Sequence, residues 1–238
     1  MLTDIRQEFH QKLEGLKDDL ARLAGRVGDA VARAMEALER GDLDLARRVI
    51  HGDGDINRHR YYIEEHSTTL IATQQPAAVD LRTIVAAMYV ATNLERIGDY
   101  AVGIARLALR LAEAGEGGAV ALPPQLPQMA EIGRAMLAAS MEALARRDPE
   151  AARTVAQHDD EVDELNQQVF GQLLQEMIKH PEDIRRPTFL LWVAHNLERI
   201  GDRVTNVCER VIYMATGEIV EFTDRQPETD VDVQVYKS

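Results

Sequence analysis

The residues of this chain best placed to do chemistry are two pairs of acids, Glu95 with Asp99 and Glu198 with Asp202. Residues four apart on a helix share a face, their Cβ atoms roughly 5–6 Å apart. Two carboxylates held that way offer an all-oxygen donor set, the kind that hard divalent and trivalent cations take. The pairs are copies: Asn93–Asp99 (Asn-Leu-Glu-Arg-Ile-Gly-Asp) recurs unchanged as Asn196–Asp202. A repeat of this kind sets the unit of the fold and has to be read first.

The duplication extends upstream of both signatures. Asp80-Leu81-Arg82 returns as Asp183-Ile184-Arg185, and Met35–Leu38 returns as Met141–Leu144. Asp53, Ile56 and Asn57 return as Asp159, Val162 and Asp163. The spacing between copies shortens after Asn57/Asp163, as expected where a loop tolerates a change of length.

The acids lie on or beside apolar stripes. From Glu95 and Asp99 the helical line runs back through Ala91, Met88, Ile84 and Leu81; from Glu198 and Asp202 it runs through Ala194, Leu191 and Pro187. Asp53 and Asn57 align with Val49, Ile50 and Ile56, and Asp159 and Asp163 with Val155, Val162 and Phe170. All these apolar residues are expected in the core. A carboxylate near such a seam is costly unless a cation or donors meet it. Two readings meet that need: a bound hard cation, or ion pairs from Arg96, Arg199, Arg82 and Arg185. His195, three before Glu198, can add a nitrogen ligand or simply pack. His51, His59, His66 and His158 read as solvated or capping residues. Gly98 and Gly201 each cost about 1 kcal/mol relative to Ala inside a helix, consistent with a need for close approach beside the acids.

The elements that must position these acids are helices. Aromatics are scarce, and apolar residues from Ile5 through Leu38 recur at spacings of three and four. One long helix should end near Gly41. A second, capped by Asp42, should run to the break at Gln74-Gln75-Pro76, and a third from about Ala77 to Gly115. The second copy repeats the order as 125–147, 148–179 and 183–216, with Asp148 capping ahead of Pro149. Its first helix lacks the roughly five turns that precede Leu20. The expected organisation is all-α: residues 1–114 as one three-helix bundle, 115–124 as linker, 125–217 as a second bundle, and 218–238 as an acidic, flexible tail. Val231, Val233 and Val235 alternate as in a strand but have no evident partner.

The net charge of −13 argues against a nucleic-acid groove, which needs a basic face, and against docking on anionic lipid. No apolar run approaches the ~20 residues of a membrane span. A single cysteine, Cys208, excludes an intramolecular disulfide and suits a reducing cytoplasm, as does a start with no apolar leader. Catalysis has little support: there are no paired Glu-x-x-His motifs, no phosphate loop and no nucleophile elbow.

On the doubled Leu-Glu-Arg-Ile-Gly-Asp (Leu94–Asp99, Leu197–Asp202) and the Gln74-Gln75-Pro76 and Asp80-Leu81-Arg82 blocks, the chain resembles the PhoU family of phosphate-transport regulators. The resemblance implies two three-helix bundles and metal on the acidic signatures: iron or zinc clusters in some members, magnesium or manganese in others. Carried onto this chain, the ligands are Asp53, Glu95 and Asp99 in the first copy and Asp159, Asp163, Glu198 and Asp202 in the second. The chain departs from the pattern at Asn57, where an Asp is expected, and at Gly103, where Asn is common and Asn206 keeps it. The first site is therefore expected to bind metal more weakly. The resemblance also implies a non-enzymatic, dimeric adaptor between the ATPase subunit of a phosphate ABC transporter and a sensor histidine kinase. A metal-dependent enzyme and a metal or phosphate buffer are the alternatives.

Overall fold

The computed structural model describes residues 2–116 and 118–222. Among them seven α-helices follow one another: α1 (Leu2–Arg40), α2 (Leu43–Gln74), α3 (Ala78–Leu111), α4 (Gln125–Arg146), α5 (Pro149–Ala156), α6 (Asp159–Lys179) and α7 (Arg185–Thr216). Among the described residues there is no strand. The six-helix plan holds, with one interruption: the fifth predicted helix, 148–179, is broken at Gln157–His158 into α5 and α6. Its break places Asp159 in the first turn of α6 beside Asp160 and Glu161, where the helix dipole favours anions.

The helix boundaries are set by local chemistry. Asp42 Oδ1 accepts the Leu45 N–H at 2.8 Å, and Asp148 Oδ1 accepts from Glu150 and Ala151 at 3.1 and 3.0 Å. Each cap satisfies first-turn donors that the helix itself cannot, worth about 1 kcal/mol. Helix α2 ends on Gln75 in the left-handed region (φ 45°), just ahead of Pro76. Helix α3 passes into a π-helical turn, Ala112–Glu116, with Gly115 at φ 88°.

In each copy the helices pack on one another, α1 with α2 and α3, and α4 with α6 and α7. The most extensive pairing joins the copies: α3 against α7, the two helices that carry the signatures. Ile84, Leu94 and Ile97 of α3 and Val193, Val204 and Val207 of α7 are fully buried. Truncating one such Leu or Ile to Ala costs about 2–5 kcal/mol. Around Gly103 the copies come close enough that a Cβ there would stand 2.7 Å from Asn196 Oδ1.

Two expected core residues are exposed. Leu81 is 38% and Phe170 55% exposed, while Ala91, Ile84, Ala194 and Pro187 are buried and Met88 and Leu191 are half-buried. On α6 the buried seam runs through Val162, Leu165, Val169 and Leu173, so Phe170 falls one position outside it. Phe9, Leu13 and Leu16, on the part of α1 without a counterpart in α4, are buried. Past Gly217 the chain is not loose immediately: Val220 and Phe222 pack against the core, and the Phe222 N–H donates to Glu209 Oε1 at 3.0 Å. The valines at 231, 233 and 235 lie outside the described residues.

Candidate functional site

The first acidic site lies between α2 and α3. Asp53 on α2 and Glu95 and Asp99 on α3 are near enough to repel one another. Burial pushes the Asp53 carboxyl above its ordinary range, and Asp99 pushes it further. Glu95 is raised for the same reasons in the same order. Gly98 faces α2 at this point: a Cβ there would stand 3.2 Å from Ile56 Cδ1 and 4.0 Å from Asp53 Oδ1.

Its polar partners are partly those expected. Asn57 Nδ2 donates to Asp53 Oδ2 at 2.8 Å, so the residue that replaces an acid steadies its neighbour. Asp53 Oδ1 is buried with no hydrogen-bond partner. Arg96 reaches Asp99 at 3.2 Å and Glu95 at 3.8 Å, but along its own helix rather than across helices. The arginine that crosses is Arg60 of α2, 3.8 Å from Glu95. Sequence reading missed it, although its position two turns beyond Asp53 was an available signal. Arg106, which attracts Asp53, had no such signal. Arg82 faces Gly217 instead, and Arg185 is exposed at the start of α7.

The second site is built on α6 and α7. Asp159 packs so closely on Gly201 that a Cβ there would collide with its Oδ1. Glu198 is buried, and His195 Nδ1 lies 3.7 Å from its Oε2. Asp202 accepts from Arg199 at 2.9 Å. Tyr100 of α3 stands beside Arg199, raises its already high pKa and brings the second signature against the first copy. Asp163 follows one turn after Asp159. All four acids have polar or electrostatic neighbours. Of the other histidines, His51 and His66 bond carbonyls of their own helix, His158 meets Glu161, and the nearly buried His59 contacts Asp19 of α1. Burial first, then Glu209 and Asp159, push the Cys208 thiol up to about 12, leaving it unreactive at neutral pH.

These donors suit a hard cation in kind: all oxygen and crowded, with the buried Asp53 Oδ1 unmet. As they stand, no three His, Cys, Asp or Glu side chains among the described residues gather around a common point.

The PhoU domain model matches residues 20–108 and again 126–211, taking in both signatures. The chain belongs to the PhoU family. It is 35% identical over 213 residues to the phosphate-specific transport system accessory protein PhoU homolog of Rhizobium meliloti, covering 90% of this chain and 89% of the relative. With the homolog of the same name from Caulobacter vibrioides it shares 37% over 225 residues, 94% and 96% of the two chains. Two crystal structures match the PhoU fold found here. The phosphate transport system regulatory protein PhoU from Streptococcus pneumoniae gives a TM-score of 0.82 at 30% identity, over 90% of this chain and 99% of its own. PhoU from Pseudomonas aeruginosa gives 0.81 at 34%, over 88% and 100%.

Proposed function

We propose that this protein is a non-enzymatic regulator of phosphate uptake that restrains the phosphate-starvation response when phosphate is plentiful. One observation carries the reading: both acidic signatures are intact and mounted on the packed pair α3 and α7, in a chain similar over most of its length to phosphate-transport accessory proteins. It acts in the cytoplasm as an adaptor, as a homodimer, between the ATPase subunit of a phosphate ABC transporter and a sensor histidine kinase at the inner membrane. Among the described residues no helix is long and apolar enough to cross a membrane; in this reading membrane contact goes through partners.

Metal is part of the same reading. Asp53, Glu95 and Asp99 hold a hard cation between α2 and α3, and Asp159, Asp163, Glu198 and Asp202 hold one between α6 and α7. The identity of the metal, whether iron, zinc, magnesium or manganese, is for elemental analysis to decide. A cation there supplies positive charge to crowded carboxylates and cross-links neighbouring helices; the chain's own part is to present the acids and keep Arg60, Arg96 and Arg199 close by.

Deleting the gene in its native host tests the regulatory reading. Starvation-response genes should switch on in high phosphate, and changes in Leu94–Asp99 or Leu197–Asp202 should mimic the deletion. Silent starvation genes, with a loss of hydrolytic activity from the lysate, would instead establish the enzyme reading. For metal, Glu198→Gln/Asp202→Asn should lower metal content more than Glu95→Gln/Asp99→Asn does. Unchanged content in both variants would leave the acids to ion pairing alone.

A further inference from the structure

On the face of α2 turned toward α1, a groove of about 430 Å³ is lined by three arginines, Arg26 and Arg33 of α1 and Arg48 of α2. That concentration is unusual in a chain of net charge −13. Most arginines nearby are neutralised on their own helix: Arg22 by Asp19, Arg40 by Glu36, Arg47 by Asp44, and Arg58 by Asp55. Among the described residues Arg26 and Arg33 form no ion pair, and Arg48 has only a 4.0 Å contact with Asp42. Gly52 opens the groove between them, with nothing within 4 Å of where its Cβ would be. Two acids also line the groove: Asp55 is already paired with Arg58, while Asp29 forms no ion pair among the described residues.

Guanidinium groups recognise oxyanions through paired, charge-assisted hydrogen bonds. A carboxylate among them has a selective effect. It repels a fully ionised oxyanion such as sulfate, but accepts a hydrogen bond from an anion that still carries a proton. Inorganic phosphate keeps at least one P–O–H at neutral pH; a phosphomonoester, with its second pKa of about 6, has mostly lost it. We propose that this groove is a binding site for inorganic phosphate, with Arg26, Arg33 and Arg48 holding its ionised oxygens and Asp29 accepting the hydrogen bond from its remaining P–O–H. Ile56 lines the groove and also packs on Gly98, so the α2 turn that carries Asp53 has the phosphate site on one side and the first acidic site on the other.

The physiological meaning rests on the regulator reading, but the test measures binding directly. Failure here leaves the deletion phenotype unaffected, and failure of that phenotype leaves the binding result standing. The full chain, stripped of metal with chelator so that no cation recruits the anion, is titrated by calorimetry with phosphate, sulfate or O-phosphoserine at about 0.15 M salt, where surface charge is largely screened. Phosphate should bind saturably and at least about tenfold tighter than either rival, a difference of ~1.4 kcal/mol. Arg33→Gln/Arg48→Gln should weaken phosphate at least about tenfold. Asp29→Asn should bring sulfate within about threefold of phosphate. All three positions are exposed, so the variants should keep the helical spectrum of the parent. No saturation with millimolar phosphate, parity of sulfate or phosphoserine in the parent, or unchanged phosphate binding in the double arginine variant would overturn the proposal.

Discussion

The two acidic sites share a seven-residue signature and differ in how its charges are met. In the first, Asn57 replaces one carboxylate, Arg60 and Arg96 stand close to Glu95, and Asp53 and Glu95 are pushed toward protonation. In the second all four acids are present, Glu198 is buried, and Arg199 is tethered across the repeat boundary by Tyr100. The counterpart of Tyr100 is Arg203, so the tether runs one way only. Identical signatures therefore do not make identical sites. The flanking residues decide which groups meet each carboxylate pair, Arg60 and Asn57 at the first site and His195 and Arg199 at the second.

The sharpest way to break that comparison is a Cβ on each signature glycine. Gly201→Ala should displace Asp159 and weaken cation binding at the second site at least about tenfold, since a misplaced ligand loses most of its contribution. Gly98→Ala, whose tight contact is with the flexible Ile56 side chain at 3.2 Å while Asp53 Oδ1 stays at an ordinary 4.0 Å, should change binding at the first site by less than about threefold. Manganese or zinc titrations of the single-site variants check both.

Asn57→Asp should erase much of the remaining difference. It supplies the missing acid and removes the hydrogen bond to Asp53, raising first-site cation affinity by about tenfold while lowering the stability of metal-free protein. Equal first-site affinity in parent and variant would refute the charge-count explanation.

A third prediction concerns pH. Asp53 and Glu95 are harder to ionise in the folded chain than in the unfolded one, so folding favours their protonated forms. Their contribution is fully present below the ordinary carboxylate pKa and is lost as pH rises through the higher, folded values. Chelator-treated protein should lose melting temperature over that window. Asp53→Asn should reduce the loss and, near neutrality, raise the melting temperature, by an amount held small by solvent screening of a part-exposed carboxylate. Saturating cation should flatten the dependence.

The smallest effect belongs to the tether. Tyr100→Phe removes the hydroxyl beside the Arg199 guanidinium and should cost about 1.5 kcal/mol or less, read as a melting shift of a few degrees. The equivalent exchange Arg203→Leu should leave the first signature's ion pairs unchanged.

Much of this was legible from local chemistry. Asp42, Asp148 and Pro76 mark helix ends wherever they occur, and the repeat identified the two helices that must carry the acids. What escaped was decided by neighbours distant in sequence. Leu81 and Phe170 fit the apolar line, yet the seam that actually packs runs one residue to the side. The break at Gln157–His158 has no Pro or Gly to announce it. Arg60 lay on the right face but is one of many arginines, and the pairing of Tyr100 with Arg199 requires knowing that α3 meets α7. The groove arginines were invisible for a similar reason, since Arg33 and Arg48 become neighbours only when α1 packs on α2.

The contact between the Phe222 N–H and Glu209 bears on where this chain can be cut. Periodicity alone sets the edge of the folded unit at Gly217, and a shortened version designed on that basis would remove Val220 and Phe222. It would strip a nearly buried carboxylate of the backbone donor that meets it, at a cost of about 1–3 kcal/mol. Any deletion of the acidic tail, whether to aid crystallisation or to probe its role, should keep residues through Phe222. Otherwise a damaged terminus would be mistaken for a missing function.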